Sequence, residues 1–212
     1  MKLDPIAIET MLDQLVEKGW YEWPSAISES LCLALLNELL EAEETGRLKK
    51  AGIGRSDERQ INNNIRRDQI RWLTGETPSQ IEFLAIMTNL QQALNRALFM
   101  GLFEYEAHYA LYKTGDFYKT HLDSFKGQAN RMVSTVLYLN PDWDAKNGGE
   151  LVLYNENEEI IQTTVTPSIG KLVVFLSEQI PHEVLPTKLP RASIAGWFRC
   201  NSSTGQIANP AK

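Results

Sequence analysis

The sequence places a histidine and an aspartate two residues apart, at His121 and Asp123. Residues 117–123 around them alternate apolar or aromatic with polar side chains, a pattern that is typical of a β-strand. Because residues i and i+2 of a strand point to the same face, the imidazole and the carboxylate are expected to converge on one point in space. This arrangement indicates two ligands of a metal site.

A second histidine, His182, lies within residues 180–184 and completes a set of two histidines and one aspartate. This set is the facial triad, which binds Fe(II) and leaves half of its octahedral positions open. Zinc also accepts two histidines and one carboxylate, so the triad alone does not identify the metal. Arg191, at the start of a predicted strand, favours iron, because its guanidinium could hold the carboxylate of a cosubstrate through two hydrogen bonds.

The order of HxD, distant His and then Arg resembles that of the Fe(II)/2-oxoglutarate-dependent oxygenases. Three further motifs resemble the prolyl 4-hydroxylases of the Egl nine (hypoxia-factor) type and their bacterial branch: YLNPDWDAK at 138–146, GGEL at 148–151 and PHEV at 181–184. IRRDQIRW at 65–72 is similar to the segment that these enzymes carry before the barrel. The match runs from about residue 45 to 200, and the combined set is far more specific than an HxD pair alone.

The resemblance implies a peptidyl-prolyl 4-hydroxylase that uses Fe(II), 2-oxoglutarate and O2, with ascorbate as an additional cofactor, and that releases succinate and CO2. It implies the following site residues: His121, Asp123 and His182 as metal ligands and, with Arg191, as the catalytic set; Arg191, Tyr138 and Tyr112 for the cosubstrate; and Arg66, Asp68, Trp72, Arg131 and Trp197 for the substrate. The substrate is expected to be a protein with an exposed proline. The bacterial branch makes elongation factor Tu the first candidate.

Length and composition predict one domain of a soluble globular protein, because 212 residues can bury a full core and 43% are hydrophobic and 23% charged. The net charge of −6 argues against a nucleic-acid binder. Cys32 and Cys200 form neither a CxxC motif nor a disulfide framework, which indicates a reducing compartment. With no signal-peptide pattern and no apolar run of about 18 residues, we expect no membrane contact and a cytoplasmic location.

Caps and helical periodicity predict three helices that brace the rest of the chain. Asp4 caps the first, Ser28 caps the second, and residues 77–80 form a capping box for a long third helix that we expect to end at Gly101. Residues 19–24 predict a short strand that ends at a proline. The sequence leaves the oligomeric state open, with a monomer favoured over chains paired through the helical flank.

Six to eight short strands with short connections follow the third helix, which is typical of a sandwich or barrel. They are predicted at about 103–112, 116–123, 131–140, 149–154, 158–165, 171–176, 181–185 and 191–200. We therefore predict an α+β, mainly β fold, a double-stranded β-helix or jelly roll, as the resemblance also implies. The expected organisation is a helical flank at 1–102 packed on the core, a jelly-roll oxygenase core at 103–200 and a tail at 201–212.

Residues 47–71 hold eight Lys or Arg against three acids, a local charge of +5 in an acidic chain. The segment is also rich in Gly and Asn, so much of it is predicted to be a loop. One interpretation is a solvated basic loop. The other is a lid that holds a partner with an acidic surface near the metal. The resemblance favours the lid, and Arg67, where many relatives have glycine, predicts a stiffer one.

Three alternatives to a protein hydroxylase remain at the level of the sequence. An oxygenase of a free amino acid or small metabolite would have no need of the basic segment. A demethylase of nucleic-acid bases is disfavoured by the acidic net charge. A non-catalytic binding scaffold would have no reason to keep an intact triad together with Arg191. The sequence does not indicate the O2 affinity or the position and stereochemistry of the hydroxylation.

Overall fold

The computed structural model describes residues 3–52, 61–124 and 130–200, and within them the chain forms three α-helices and eleven β-strands. The helices are α1 (Pro5–Lys18), α2 (Glu29–Glu44) and α3 (Pro78–Leu98). The strands are β1 (Trp20–Trp23), β2 (Lys49–Lys50), β3 (Gln69–Trp72), β4 (Leu102–Tyr112), β5 (Tyr118–His121), β6 (Arg131–Tyr138), β7 (Leu151–Tyr154), β8 (Ile161–Val165), β9 (Leu172–Leu176), β10 (His182–Val184) and β11 (Arg191–Cys200). The predicted tail at 201–212 and residues 53–60 of the basic segment lie outside the described residues.

The strands form two antiparallel sheets, which confirms the predicted double-sheet architecture. The larger sheet has the order β1-β9-β6-β11-β4-β3-β2, and the smaller sheet has the order β5-β10-β7-β8. Each of the eight strands predicted after the third helix is present in the described residues, with boundaries shifted by at most three residues. The last strand, β11, lies in the middle of the larger sheet between β6 and β4.

The chain before β4 also contributes strands to the larger sheet. β1 pairs with β9 at one edge, and β3 pairs with β4 near the other. β2 and most of β3 lie inside the basic segment at 47–71, and the described residues between these two short strands belong to no other helix or strand, as expected of a loop. The sequence signal for β2 is weak because the strand has two residues and its pairing depends on the neighbouring β3.

Two hydrophobic cores follow from this layering. The first lies between the helices and the outer face of the larger sheet and includes Leu15, Leu35, Phe83, Leu90, Leu111, Val174 and Phe198. The second lies between the two sheets and includes Tyr112, Tyr138, Leu153, Phe175 and Val184. In the described part of the chain, none of the helices has the length and apolar character needed to cross a membrane.

The helix caps agree with the predicted starts, but the third helix differs in two details. Thr77 accepts from the backbone N–H of Gln80, whereas the Gln80 side chain accepts from the N–H groups of Thr74 and Gly75 and does not close the capping box. α3 also ends at Leu98, before the predicted Gly101. The reason is Asn95, whose side chain bonds both the N–H and the C=O of Leu102 and turns the chain directly into β4.

Glu38 of α2 joins the helices to the larger sheet. Its carboxylate accepts hydrogen bonds from Ser79 and Gln80 of α3 and from the Tyr109 hydroxyl of β4. Partial burial opposes the ionisation of Glu38, but the hydrogen bonds from Ser79, Gln80, Thr77 and Tyr109 hold its pKa below the usual value. A folded-state pKa below the unfolded value means that this carboxylate stabilises the fold above the unfolded pKa, and that the stabilisation is lost as the pH falls through the folded pKa.

We therefore expect Glu38→Gln to lower the free energy of unfolding by about 2 kcal/mol at neutral pH, because the hydrogen bonds to a charged acceptor are weakened. The difference from wild type should shrink at acidic pH, where the wild-type carboxyl is also protonated. Urea unfolding at both pH values measures this. Glu41→Gln, an exposed glutamate of the same helix paired with Arg47, is the matched control with a small expected effect. A loss that stays equal at the two pH values would contradict the assignment.

Candidate metal and cosubstrate site

Two histidines face each other across neighbouring strands of the smaller sheet. His121 ends β5, His182 begins β10, and the two are register partners with ring centroids 4.2 Å apart. In each ring, Nδ1 bonds the backbone carbonyl two residues earlier, at 2.8 Å for Lys119 and 3.0 Å for Ile180. Because a carbonyl only accepts, Nδ1 carries a hydrogen in both rings, and the tautomer with this hydrogen keeps its lone pair on Nε2. Both Nε2 atoms are thus available as metal ligands.

Asp123 lies two residues beyond β5, whereas the alternation predicted a strand that includes it. The strand ends at His121 because its partner β10 begins at His182, which leaves Asp123 without a strand to pair with. Its carboxylate still reaches both rings, with Oδ1 at 3.6 Å from His121 Nε2 and Oδ2 at 3.6 Å from His182 Nε2. The ligand atoms of the three residues lie within 4.8 Å of one another, so the predicted triad is brought together.

The protonation states of His182 and Asp123 suit a divalent transition metal. Burial lowers the pKa of His182 to about 4, and the nearby His121 adds to this effect. Burial opposes the ionisation of Asp123, but His182, His121 and the Ser134 hydroxyl hold its pKa well below the usual range. Near neutral pH the site offers imidazole nitrogen and carboxylate oxygen, which fit Fe(II). Within the described ranges, no other cluster of His, Cys, Asp and Glu side chains could hold a metal in this way.

Arg191, the first residue of β11, is a buried cation with 1% of its surface exposed. Its Nε donates to the Gly149 carbonyl at 2.7 Å, and its Nη1 donates to Ser193 Oγ at 3.2 Å. Its Nη2 is covered but has no hydrogen-bond partner within residues 3–52, 61–124 and 130–200. Among the described residues, no carboxylate forms an ion pair with this guanidinium. An unpaired buried donor costs about 1–3 kcal/mol, so the arrangement points to an acceptor supplied by a ligand.

Two tyrosines flank the guanidinium of Arg191, with ring centroids at 4.9 Å for Tyr112 and 5.1 Å for Tyr138. Burial raises the pKa of both hydroxyls above their usual range, which keeps them protonated. The Tyr138 hydroxyl is also covered and has no hydrogen-bond partner in the described part of the chain. Tyr138 and Arg191 therefore present two unpaired donors inside one pocket, which fits the far carboxylate of a 2-oxo dicarboxylic acid such as 2-oxoglutarate.

The GGEL motif has a direct role in this pocket. Gly148 has φ +69°, and a Cβ there would lie 2.5 Å from the Pro186 carbonyl oxygen. Gly149 has φ +74°, and a Cβ there would lie 3.0 Å from Cδ of Arg191. Glycine at both positions therefore lets the chain approach the Arg191 side chain closely enough for the Gly149 carbonyl to bind it.

An aromatic groove lies on the inner face of the larger sheet. The imidazole of His108 contacts the indoles of Trp72 and Trp197, with centroid distances of 5.1 Å and 5.4 Å. The Arg131 guanidinium lies 3.7 Å from the Trp197 ring centroid and pairs with Glu106 at 2.7 Å. Trp72 is 43% exposed, so it presents an apolar face to solvent. Three predicted substrate residues, Trp72, Arg131 and Trp197, are thus close together, and His108 joins them.

Arg66 and Asp68 bind each other instead of presenting free charges. Arg66 donates to both carboxylate oxygens of the buried Asp68, at 2.6 Å and 2.9 Å. The Arg66 guanidinium also lies 4.6 Å from the ring centroid of Tyr118, which stacks on His121 at 3.6 Å. Sequence periodicity misses Tyr118, because residues three apart in a regular strand face opposite sides. The irregular pairing of β5 with β10 brings the two rings together.

Residues 107–199 match the family described as the 2OG-Fe(II) oxygenase superfamily. The chain is similar to a prolyl-4-hydroxylase of Pseudomonas putida, with 38% identity, 92% of this chain and 100% of that chain covered, and a TM-score of 0.83.

Two further relatives show the same likeness. One is a prolyl hydroxylase from Trichoplax adhaerens in complex with a hypoxia inducible factor oxygen degradation domain peptide fragment, with 26% identity, 92% of this chain and 89% of that chain covered, and a TM-score of 0.81. The other is human prolyl hydroxylase EGLN3, 28% identical over 209 residues, which are 93% of this chain and 85% of that protein.

Proposed function

Because the chain belongs to the 2OG-Fe(II) oxygenase superfamily, with prolyl hydroxylases as its homologues, we propose that it hydroxylates a proline of a protein substrate with Fe(II), 2-oxoglutarate and O2. The observation that carries this proposal is the convergence of His121, Asp123 and His182 in the same inter-sheet space as the buried Arg191, whose Nη2 has no partner among the described residues. A dicarboxylate cosubstrate requires such a cation, whereas hydrolysis by a metal-bound water does not in itself need one.

In this proposal His121, Asp123 and His182 hold the metal, and Arg191 and Tyr138 hold the far carboxylate of 2-oxoglutarate. The bound metal and cosubstrate supply the oxidising chemistry, which no amino-acid side chain could provide. The protein contributes orientation, because the Nδ1 hydrogen bonds of both histidines fix the direction of Nε2. It also contributes a dry environment, since Phe175 packs edge-on against His182 with a centroid distance of 4.7 Å.

We propose that the substrate lies in the aromatic groove of Trp72, Trp197 and Arg131. An exposed indole next to a buried one offers apolar faces against which a proline ring can pack. Trp197 is the register partner of Ser134, whose hydroxyl reaches Asp123, so the groove adjoins the proposed metal ligands. In this scheme the Arg66–Asp68 pair supports the groove by holding Tyr118 against His121, and Tyr112 closes the cosubstrate pocket.

The partner is proposed to carry an acidic surface that meets the basic segment at 47–71. We expect Arg55→Glu with Arg59→Glu to raise KM for the protein substrate about tenfold at low ionic strength, since like charges then meet. The effect should fade as salt is added. Arg96→Glu, an exposed charge reversal on α3, is the control with little expected effect. Equal KM values for the two variants at low salt would contradict the acidic-partner proposal.

The test of the function is a search for new hydroxyproline. The protein is incubated with Fe(II), 2-oxoglutarate and air in the presence of proteins from the source cell, with purified elongation factor Tu as a separate arm. Mass spectrometry maps the modified prolines, and His121→Ala is run in parallel. Hydroxyproline in one protein that is missing with His121→Ala supports the proposal and identifies the substrate. Succinate release without any modified protein would instead support an oxygenase of a small metabolite.

A translation factor as the substrate would also place the enzyme in the cytoplasm. We also propose a division into a bracing flank at 1–102 and an oxygenase core at 103–200, in which β1, β2 and β3 of the flank extend the larger sheet of the core. A monomer is proposed because the groove and the triad are formed by one chain. Light scattering of the purified protein measures the oligomeric state.

A further inference from the structure

Asp123 differs from the two histidines in how it is held. The rings of His121 and His182 are fixed by cross-strand register and by backbone carbonyls. Asp123 lies beyond the end of β5, so strand pairing does not fix its position. Its carboxylate is instead held by the hydroxyl of Ser134, which donates to Oδ2 at 2.7 Å. Ser134 lies on β6 of the larger sheet, so that this hydrogen bond joins the two sheets at the site.

A second serine fixes the direction of this hydrogen bond. Ser177, directly after β9, has its Oγ 2.8 Å from Ser134 Oγ, and its backbone N–H donates to the Met132 carbonyl. Both serines are buried, at 1% and 0% exposure. A hydroxyl has one hydrogen to donate, and that of Ser134 goes to Asp123 because an ionised carboxylate only accepts. The Ser177 hydroxyl must then donate to Ser134. The two hydrogen bonds therefore run in one direction, from Ser177 to Ser134 and from Ser134 to Asp123.

We propose that Ser134, supported by Ser177, is a positioning residue that occupies Oδ2 of Asp123 and leaves Oδ1 as the metal-binding oxygen. The inference rests on the proposed metal role of the triad. A carboxylate that binds through both oxygens would take one more coordination position, and that position would be lost to the cosubstrate. The hydrogen bonds of Ser177 and Ser134 therefore keep one coordination position of the proposed metal free and hold the Asp123 carboxylate in one orientation.

The expected result concerns metal binding without turnover. Loss of a residue that orients a ligand typically lowers metal affinity 10–100-fold, so Ser134→Ala should weaken Co(II) binding by about tenfold. The visible absorption of the bound Co(II) should also change, since it reports coordination number. Ser134→Thr keeps the hydroxyl and should restore both values. Ser177→Ala should show a smaller loss, because the hydrogen bond from Ser134 to Asp123 remains.

The matched control is Ser124→Ala. Ser124 follows Asp123 in the chain and is as buried as Ser134, but its hydroxyl has no hydrogen-bond partner among the described residues, so we expect wild-type Co(II) affinity. Calorimetric titration with Co(II) measures the affinities, and thermal unfolding without metal checks that each variant is folded. Wild-type affinity and absorption in a folded Ser134→Ala would overturn the proposal, as would an equal loss in Ser124→Ala.

The same titration separates this proposal from the proposed function. His121→Ala removes a ligand of the triad and should lose far more affinity than Ser134→Ala. If His121→Ala bound Co(II) as tightly as wild type, the metal centre itself would be wrong. If only Ser134→Ala did so, the metal centre would stand and the positioning role of Ser134 would be rejected.

Discussion

His121→Ala is expected to abolish Fe(II) binding at micromolar concentrations and, with it, the release of succinate from 2-oxoglutarate. The residue is one of the three proposed protein ligands, and a hydrogen bond from Nδ1 to the Lys119 carbonyl fixes the direction of its Nε2. Loss of a supporting residue costs about 10–100-fold in metal affinity, so loss of a ligand should cost more than about 100-fold. The partial exposure of His121 makes the change tolerable to the fold.

Anaerobic titration with Fe(II) and thermal unfolding of the apo-protein measure the two effects separately. His108→Ala is the matched control, because His108 is the one histidine of the sequence outside the triad. It lies between Trp72 and Trp197, and its removal should leave Fe(II) affinity unchanged. Retention of Fe(II) binding in His121→Ala, or its loss in His108→Ala, would show that the triad is not the metal site.

Arg191→Met is expected to raise KM for 2-oxoglutarate by about 100-fold while leaving Fe(II) affinity near the wild-type value. The physical reason is the loss of charge-assisted hydrogen bonds to the far carboxylate, which amounts to about 3 kcal/mol. The apo-protein should still fold, because a methionine of similar length fills the volume and a buried cation without a carboxylate partner is removed.

Two further variants test the proposed binding of 2-oxoglutarate by Arg191 and Tyr138. Arg191→Lys keeps the charge but not the planar fork and should give an intermediate KM for 2-oxoglutarate. Tyr138→Phe removes one unpaired donor and should give a smaller increase, about tenfold. Succinate release at varied 2-oxoglutarate concentration measures all three. An Arg191→Met variant that is folded, binds Fe(II) and keeps the wild-type KM would contradict the role of Arg191 as the carboxylate partner.

The metal triad could be predicted because its residue types and spacing restrict the chemistry. The sequence has three histidines, and the pattern HxD with a distant His and Arg leaves few alternatives. The strand alternation was nevertheless a partial guide, since β5 ends at His121 and Asp123 lies beyond it. The side chains of His121 and Asp123 converge even so. The hydroxyl of Ser134 holds the Asp123 carboxylate, which lies 3.6 Å from Nε2 of both His121 and His182.

Other parts of the site depend on contacts between strands that are distant in the sequence. Serines such as Ser134 and Ser177 are common, and the pairing of β6 with β9 is what brings Ser177 to Ser134, whose hydroxyl reaches Asp123. Tyr118 reaches His121 through an irregular strand pair, which periodicity cannot reveal. Arg66 and Asp68 carry opposite charges two residues apart, yet the sequence did not indicate that they bind each other.

The place of β11 in the middle of the larger sheet has a consequence for how the protein folds. This strand joins β4 and β6, and the ion pair of Arg199 with Glu106 closes a loop between residues 93 positions apart. Contacts of such high sequence separation slow folding, because the chain must lose much of its entropy before they form. During synthesis the sheet cannot be completed before β11 has emerged from the ribosome. Since Arg191 begins that strand, the proposed cosubstrate pocket forms only when the larger sheet is completed.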